Sequence, residues 1–286
     1  MKVVVFANQK GGVGKSAIAD QLAYYFALQR NLRVVVIDMD HQRNTTKALR
    51  TGGLCTVSGV TSSEILSAGK SGIPHADFVL VPGDGELFKM EEKAAELTAF
   101  VKYAKDQGKP GARDGRSAYA TNLYTVLAEI APHFDICIID TNPNPDIRQL
   151  AALVVADYVV SPLQLNQEAI DGIGDLLNHD NIGIRKIQAT INKKLKLVGI
   201  LPNLVEPTPF QRDNFRALAT AYPQLLISMA PLPGFAAVKK TTAIPEAQAA
   251  GIPVWKLGKT SGRDAWTQIR PVFDKIAEAM EVPSND

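Results

Sequence analysis

The stretch Asn8-Gln9-Lys10-Gly11-Gly12-Val13-Gly14-Lys15-Ser16 decides how this chain is read. It follows a short β-branched apolar run at 2–7 (KVVVFA) and precedes a helical pattern at 16–29, where Ile18, Leu22, Tyr25 and Phe26 recur at helical spacing. Glycines at a strand-to-helix turn let backbone N–H groups face inward onto phosphate oxygens, and the helix N-terminus adds positive potential. Lys15 is placed to reach the β- and γ-phosphates, and the Ser16 hydroxyl to ligate Mg²⁺. The usual phosphate-loop pattern GxxxxGK[ST] fails at its first glycine, where Gln9 stands. An additional lysine, Lys10, comes just ahead of the double glycine.

Working outward, 33–38 (RVVVID) reads as a second buried strand. Strand, turn, helix and strand within about 40 residues form a βαβ unit whose parallel strands need a right-handed crossover. Further strands are expected at 78–81, 135–139, 158–161, 197–201 and 225–229. Helical patterns lie between them, around 85–104, 121–131, 146–155, 167–178, 210–221, 244–250 and 264–280. This alternation predicts an α/β fold: one doubly wound, mostly parallel sheet with helices on both faces, a single domain over 1–282. The Gly- and charge-rich segment 105–120 (KDQGKPGARDGRSAYA) is expected to be an exposed loop, and 283–286 a frayed tail. Pro271 is expected to kink or restart the last helix.

Composition narrows the class. The 286 residues carry 46% apolar and 21% charged side chains, which excludes disorder of the whole chain. Cys55 and Cys137 are far apart and lack CxxC spacing, which argues against a disulfide framework or a structural zinc. The apolar run before Asn8 is too short for a signal-peptide core, and no stretch is long enough for a membrane span. A cytoplasmic protein is expected. Lys plus Arg number 31 against 29 Asp plus Glu, a net charge of +2, which argues against coating nucleic acid through bulk charge.

A phosphate site needs acidic partners for the metal and the attacking water. Asp38 and Asp40 stand at the carboxyl end of the second strand, where open α/β sheets bind ligands. Asp140, after Ile136-Cys137-Ile138-Ile139, repeats the strand-then-Asp pattern of a Walker B element.

Together these residues resemble the deviant Walker A ATPases of the MinD/ParA superfamily, most closely the ParA family of plasmid and chromosome partition ATPases. The likeness rests on KGGVGKS at 10–16, IDMDHQ at 37–42, IIDTNPN at 138–144 and ADYVVSPLQ at 156–164, with a looser EAQAAGIPV at 246–254. It implies a Mg²⁺-dependent, slow, partner-stimulated ATPase that dimerises around ATP, with ATP and Mg²⁺ as cofactors. Lys10 corresponds to the signature lysine that reaches the partner subunit's phosphates, Lys15 to the loop lysine and Asp40 to the residue that positions the water. Asp38 and Asp140 correspond to residues that support the metal, with Ser16 its direct ligand. Gly11, Gly12, Val13, Gly14 and Ala17 complete the phosphate cradle. By position, Asn203 and Pro231 match where the family holds the base, although Asn203 serves equally as a turn residue.

The chain also departs from the family. Ala17 replaces a hydroxyl residue that contacts the α-phosphate, a hydrogen bond worth about 1 kcal/mol. DPQG becomes Asp40-His41-Gln42-Arg43, and DxPP becomes Asp140-Thr141-Asn142-Pro143. The first strand starts at Lys2, so no N-terminal DNA-reading domain and no operator autorepression are expected.

The resemblance further implies non-specific DNA binding by the ATP dimer, nucleoid association and a ParB-type centromere-binding adaptor. Charge distribution bears on the DNA. Residues 183–216 carry net +5 and 239–263 net +4, leaving −7 for the rest. Lys193, Lys194, Lys196, Arg212, Arg216, Lys239 and Lys240 are the candidate phosphate contacts. The alternatives are a MinD-like membrane-positioning ATPase and a ParA-like positioner of a protein cargo. The 264–280 pattern is amphipathic, yet it carries Asp274, Glu278 and Glu281 opposite its apolar face, so no stable membrane binding is expected. An iron–sulfur carrier would need interfacial cysteines. A dethiobiotin-synthetase-like ligase leaves Lys10 and the basic segments unexplained.

Overall fold

The computed structural model describes residues 1–106, 115–180 and 182–283. Seven strands form one sheet: β1 Lys2–Phe6, β2 Val34–Asp38, β3 Thr56–Val57, β4 Phe78–Val81, β5 Ile136–Asp140, β6 Tyr158–Leu163 and β7 Lys196–Pro202. Their order is β3-β4-β2-β5-β1-β6-β7, and every pairing is parallel. β1 is an interior strand, with β5 on one side and β6 on the other. The stretch that follows it therefore emerges within the sheet's carboxyl edge.

The strand residues alternate between two cores, as a sheet covered on both faces requires. Val3, Val5, Val35, Ile37, Val79, Cys137 and Ile139 face one core, closed by helices Ser62–Ala68, Met90–Asp106, Gly115–Ile130 and Ile147–Val155. Val4, Phe6, Val34, Val36, Leu80, Ile136 and Ile138 face the other. That second core is closed by Lys15–Tyr24, Asn44–Gly52, Ala243–Ala250 and Thr260–Ala279. Ile269, Val272, Phe273, Ile276 and Met280 are buried there, so the apolar face of the last helix belongs to the core. No helix among the described residues is long and apolar enough to cross a membrane.

Two of these helices touch backbone to backbone. A Cβ on Gly52 would stand 1.8 Å from the Gly251 carbonyl oxygen, and one on Gly251 would stand 2.4 Å from that of Ala48. The Tyr24 hydroxyl donates to the Gly251 carbonyl at 2.6 Å.

Four expectations need correction. The segment 225–229 is not a strand of the sheet: it follows a 3-10 turn at Pro223–Leu225 and makes only the isolated bridges Ile200↔Leu226 and Ser228↔Phe235. Its apolar residues are buried because they straddle the two cores, Leu226 in one and Ile227 in the other. The expected loop at 105–120 is largely helical where it is described, since Met90–Asp106 and Gly115–Ile130 run into it and Tyr119 and Ala120 are buried. Residues 107–114 of that expectation, and 284–286 of the expected tail, lie outside the described residues. Pro271 sits inside a continuous helix, Thr260–Ala279, so the helix does not restart there. Finally, the two-residue β3 was not anticipated, since it is exposed and shows no apolar pattern.

Candidate active site

Loop 8–14 is pinned at both ends. Asn8 Nδ2 donates to the Pro162 carbonyl at 2.7 Å, and Asn8 Oδ1 accepts the Lys10 amide at 2.8 Å, tying the loop's entry to β6. Gly12 and Gly14 have φ of +75° and +83°, which only glycine adopts without strain. Asn203 Nδ2 donates to the Val13 carbonyl at 2.8 Å, and a Cβ on Gly14 would stand 2.4 Å from that nitrogen. Asn203 thus braces the phosphate loop. Pro231 is exposed and does not line the loop's cavity.

That cavity, of about 290 Å³, is lined by Gly11–Ala17 together with Asp40, Gln42, Asn44, Pro143 and Gln248. A larger cavity of about 470 Å³ lies elsewhere, between Arg116, Tyr124, Leu150 and Ile191, and has neither a glycine cradle nor a carboxylate. Lys15 is buried, and its ammonium donates to the Lys10 carbonyl at 3.1 Å. Desolvation lowers its pKa, while the charges of Asp140 and Asp40 act the other way.

Asp38 and Asp140 are register neighbours on β2 and β5 and are fully buried. The two aspartates serve differently. Asp38 accepts the amide and hydroxyl of Thr46 at 2.8 and 2.6 Å on one oxygen and the Asp40 amide at 3.0 Å on the other. Neither carboxylate lines the cavity wall directly, and Asp38 holds the loop that carries Asp40. Asp140 accepts the Thr45 hydroxyl at 2.8 Å on Oδ2, while its Oδ1 is buried with no hydrogen-bond partner. Burial pushes both carboxyls up. For Asp38 the neighbouring Asp140 charge adds to this, and for Asp140 the nearby Ser16 and Thr45 hydroxyls oppose it. An orphaned carboxylate oxygen beside the loop's serine is a donor set suited to a divalent cation.

Asp40 is buried at the cavity wall, its Oδ1 accepting the Gln42 amide at 2.9 Å. His41 Nδ1 lies 3.4 Å from the same oxygen. Lys10 does not enter this cavity. Its ammonium is 2.6 Å from Glu168 Oε2 and 3.4 Å from Asn166 Oδ1, on the far wall of the loop.

All seven candidate DNA contacts are exposed. Lys196 pairs with Glu281, Arg216 with Asp213 and Lys240 with Glu206. Lys193, Lys194, Arg212 and Lys239 have no ion pair among the described residues.

Several site residues escaped sequence reasoning. Thr45 and Thr46 satisfy the two strand-end aspartates, and Gln248 reaches the cavity from the distant Ala243–Ala250 helix. Asp20, fully buried, accepts the Gln248 amide at 2.8 Å. The one available signal was its spacing: Asp20 is i+4 from Ser16 and so shares its helix face.

A family model described as an AAA domain matches residues 1–197. Protein IncC of Escherichia coli is 32% identical over 285 residues, covering 99% of this chain and 71% of IncC. The chromosome-partitioning ATPase Soj of Treponema pallidum is 32% identical over 200 residues, 70% of each chain. The chain belongs to the ParA family of partition ATPases. Its fold matches that of a solved complex of a Cyanothece McdA variant with ATP, with a TM-score of 0.73 at 20% identity over 100% of this chain and 98% of that one. Within the ParA family frame, the departures at His41, Arg43 and Asn142 fall on the loops after β2 and β5, while the glycine loop itself is intact.

Proposed function

We propose that this ParA-family protein binds ATP with Mg²⁺ in the 290 Å³ cavity, dimerises around it, binds DNA without sequence preference and releases it on hydrolysis. The observation that carries this reading is the convergence of Lys15 and Asp40 on the glycine cradle of one cavity. When bound, Mg²⁺ would be held by the Ser16 hydroxyl and by Asp140, directly or through water, and would offset charge on the phosphate oxygens.

The chain's own groups do the rest. Amides of 11–16 and the Lys15 ammonium bind and orient the phosphates. Asp40 orients a water toward the γ-phosphorus. The water oxygen bonds to phosphorus, the bond from phosphorus to the β–γ bridging oxygen breaks, and Asp40 accepts the water's proton before it passes to phosphate. No covalent intermediate forms on the protein. Lys10, released from Glu168, would reach the other subunit's nucleotide, where a closing interface excludes water and strengthens its attraction to phosphate. A ParB-type adaptor would stimulate turnover.

DNA would be held by the exposed lysines and arginines of 185–240, doubled in the dimer, which makes affinity steeply dependent on salt. The test is a duplex-DNA titration with no nucleotide, ADP or ATP at two salt concentrations. Tight, salt-sensitive binding with ATP alone is expected, and binding indifferent to nucleotide would overturn the reading. Lys15→Ala should lose nucleotide binding, and Asp40→Ala should bind ATP without hydrolysing it. The positioning of a protein cargo would show as the same ATP-dependent DNA binding with a different adaptor.

A further inference from the structure

We infer that Arg148 is a positioning residue for ATP hydrolysis: it holds His41 as a hydrogen-bond acceptor and so keeps the imidazole off Asp40. The inference rests on the reading of Asp40 given above.

Arg148 is the first charged residue of helix Ile147–Val155, and only 3% of its side chain is exposed. Its guanidinium grips Asp146, with Nε 3.2 and 3.1 Å from the two carboxylate oxygens and Nη2 in contact with Oδ2. Asp146 is held in turn by its own N-cap bond to the Arg148 amide at 2.9 Å and by Asn142 Nδ2 at 2.9 Å. The remaining arm, Nη1, lies 3.1 Å from His41 Nδ1.

The chemistry of the two groups fixes the proton. A guanidinium has donors only, so His41 Nδ1 must be the acceptor and the neutral ring carries its proton on Nε2. Gln42 Nε2 stands 3.0 Å from His41 Nε2, and with the proton there the amide turns its oxygen to it. The edge of the ring rests against Phe88, 5.4 Å between centroids. In this state Nδ1 has no proton to give to Asp40 Oδ1, 3.4 Å away.

Without Arg148, the neutral ring can move its proton to Nδ1 and donate it to Asp40. A second donor on Oδ1, beside the Gln42 amide, lowers the basicity of the carboxylate and turns it from the cavity. Arg148 belongs to the first turn of the helix after β5 and His41 to the loop after β2, so the contact also sets these two connections in register.

The test measures phosphate release from ATP with Mg²⁺ and duplex DNA. Arg148→Met alone leaves Asp146 buried and unpaired and can cost folding. The working variant is therefore Asp146→Asn with Arg148→Met, which removes both charges and keeps an N-cap side chain. Its kcat should fall roughly tenfold, a fraction of what a positioned proton acceptor supplies, with KM for ATP within about twofold. Adding His41→Ala should bring kcat back to that of His41→Ala alone, because nothing is then left to occupy Asp40. An unchanged kcat in the double variant, or a loss that His41→Ala does not recover, overturns the inference. Asp40→Ala is run alongside. If it hydrolyses at the wild-type rate, the reading of Asp40 itself fails; if it is silent while the Arg148 series is flat, only the positioning role fails.

Discussion

Lys10 illustrates how a residue's state in the single chain bears on its function. Its ammonium sits on Glu168, which is 83% exposed, and the contact holds the Glu168 carboxyl below its ordinary range. To reach a second subunit, Lys10 must leave that carboxylate. The pair would therefore compete with the proposed dimer for one ammonium. Glu168→Gln should raise the ATP-dependent dimer fraction modestly, roughly twofold at subsaturating protein, read by light scattering. A dimer fraction equal to wild type would show that Lys10 leaves Glu168 without cost. Asp38 and Asp140 show a complementary limit of reading residues in isolation. The strand-then-Asp pattern marked both, and both stand at the carboxyl ends of neighbouring strands. The sequence could not say that Thr46 would occupy one carboxylate while the other kept a bare oxygen, because that division depends on which helix lands beside which strand.

Among the elements, helix Asn44–Gly52 begins under strain. Arg43, its N-cap, has φ of +59° and offers no side-chain cap. A non-glycine residue there costs about 1–2 kcal/mol. Arg43→Gly should therefore stabilise the protein by about 1 kcal/mol after the entropy of glycine is deducted. Thermal unfolding should move up by ~2 °C; no shift would mean that Arg43 gains elsewhere what its backbone loses. The buried strands were the most legible elements, since β1, β2, β4 and β5 each hold an apolar run of four residues buried at every position. Apolar content misled at 225–229, where burial comes from lying between two cores without a ladder. The reading of 105–120 weighed its glycines and charges and missed that Tyr119 and Ala120 begin the buried stripe of a helix. The short helices Asn44–Gly52 and Ser62–Ala68 went unread, although the second carries a complete capping box, Thr61 with Glu64.

At the scale of the molecule, a net charge of +2 conceals a division: two basic segments in the second half against an acidic remainder. Part of that basic surface is already neutralised by local pairs at Lys196, Arg216 and Lys240. Lys193, Lys194, Arg212 and Lys239, without an ion pair among the described residues, are the economical place to look for phosphate contacts, because no carboxylate there must be displaced first. What was legible at this scale was the cavity, through its glycines, its lysine and its strand-end acids.

The contact between Gly52 and Gly251 has a mechanical meaning. Helix Asn44–Gly52 grows from the loop that carries Asp40, and helix Ala243–Ala250 follows directly on Lys239 and Lys240. With carbonyl oxygens standing where any side chain would be, the two rods mesh with no slack, so a rotation of one must be taken up by the other. Such a joint would convey a small displacement at the γ-phosphate to the basic surface without loss. Gly251→Ala wedges it open, and the left-handed backbone alone adds about 1–3 kcal/mol of strain. The expected signature is a lower melting temperature together with DNA binding that no longer distinguishes ATP from ADP. Retained discrimination in a folded Gly251→Ala protein would show that the drive train runs elsewhere.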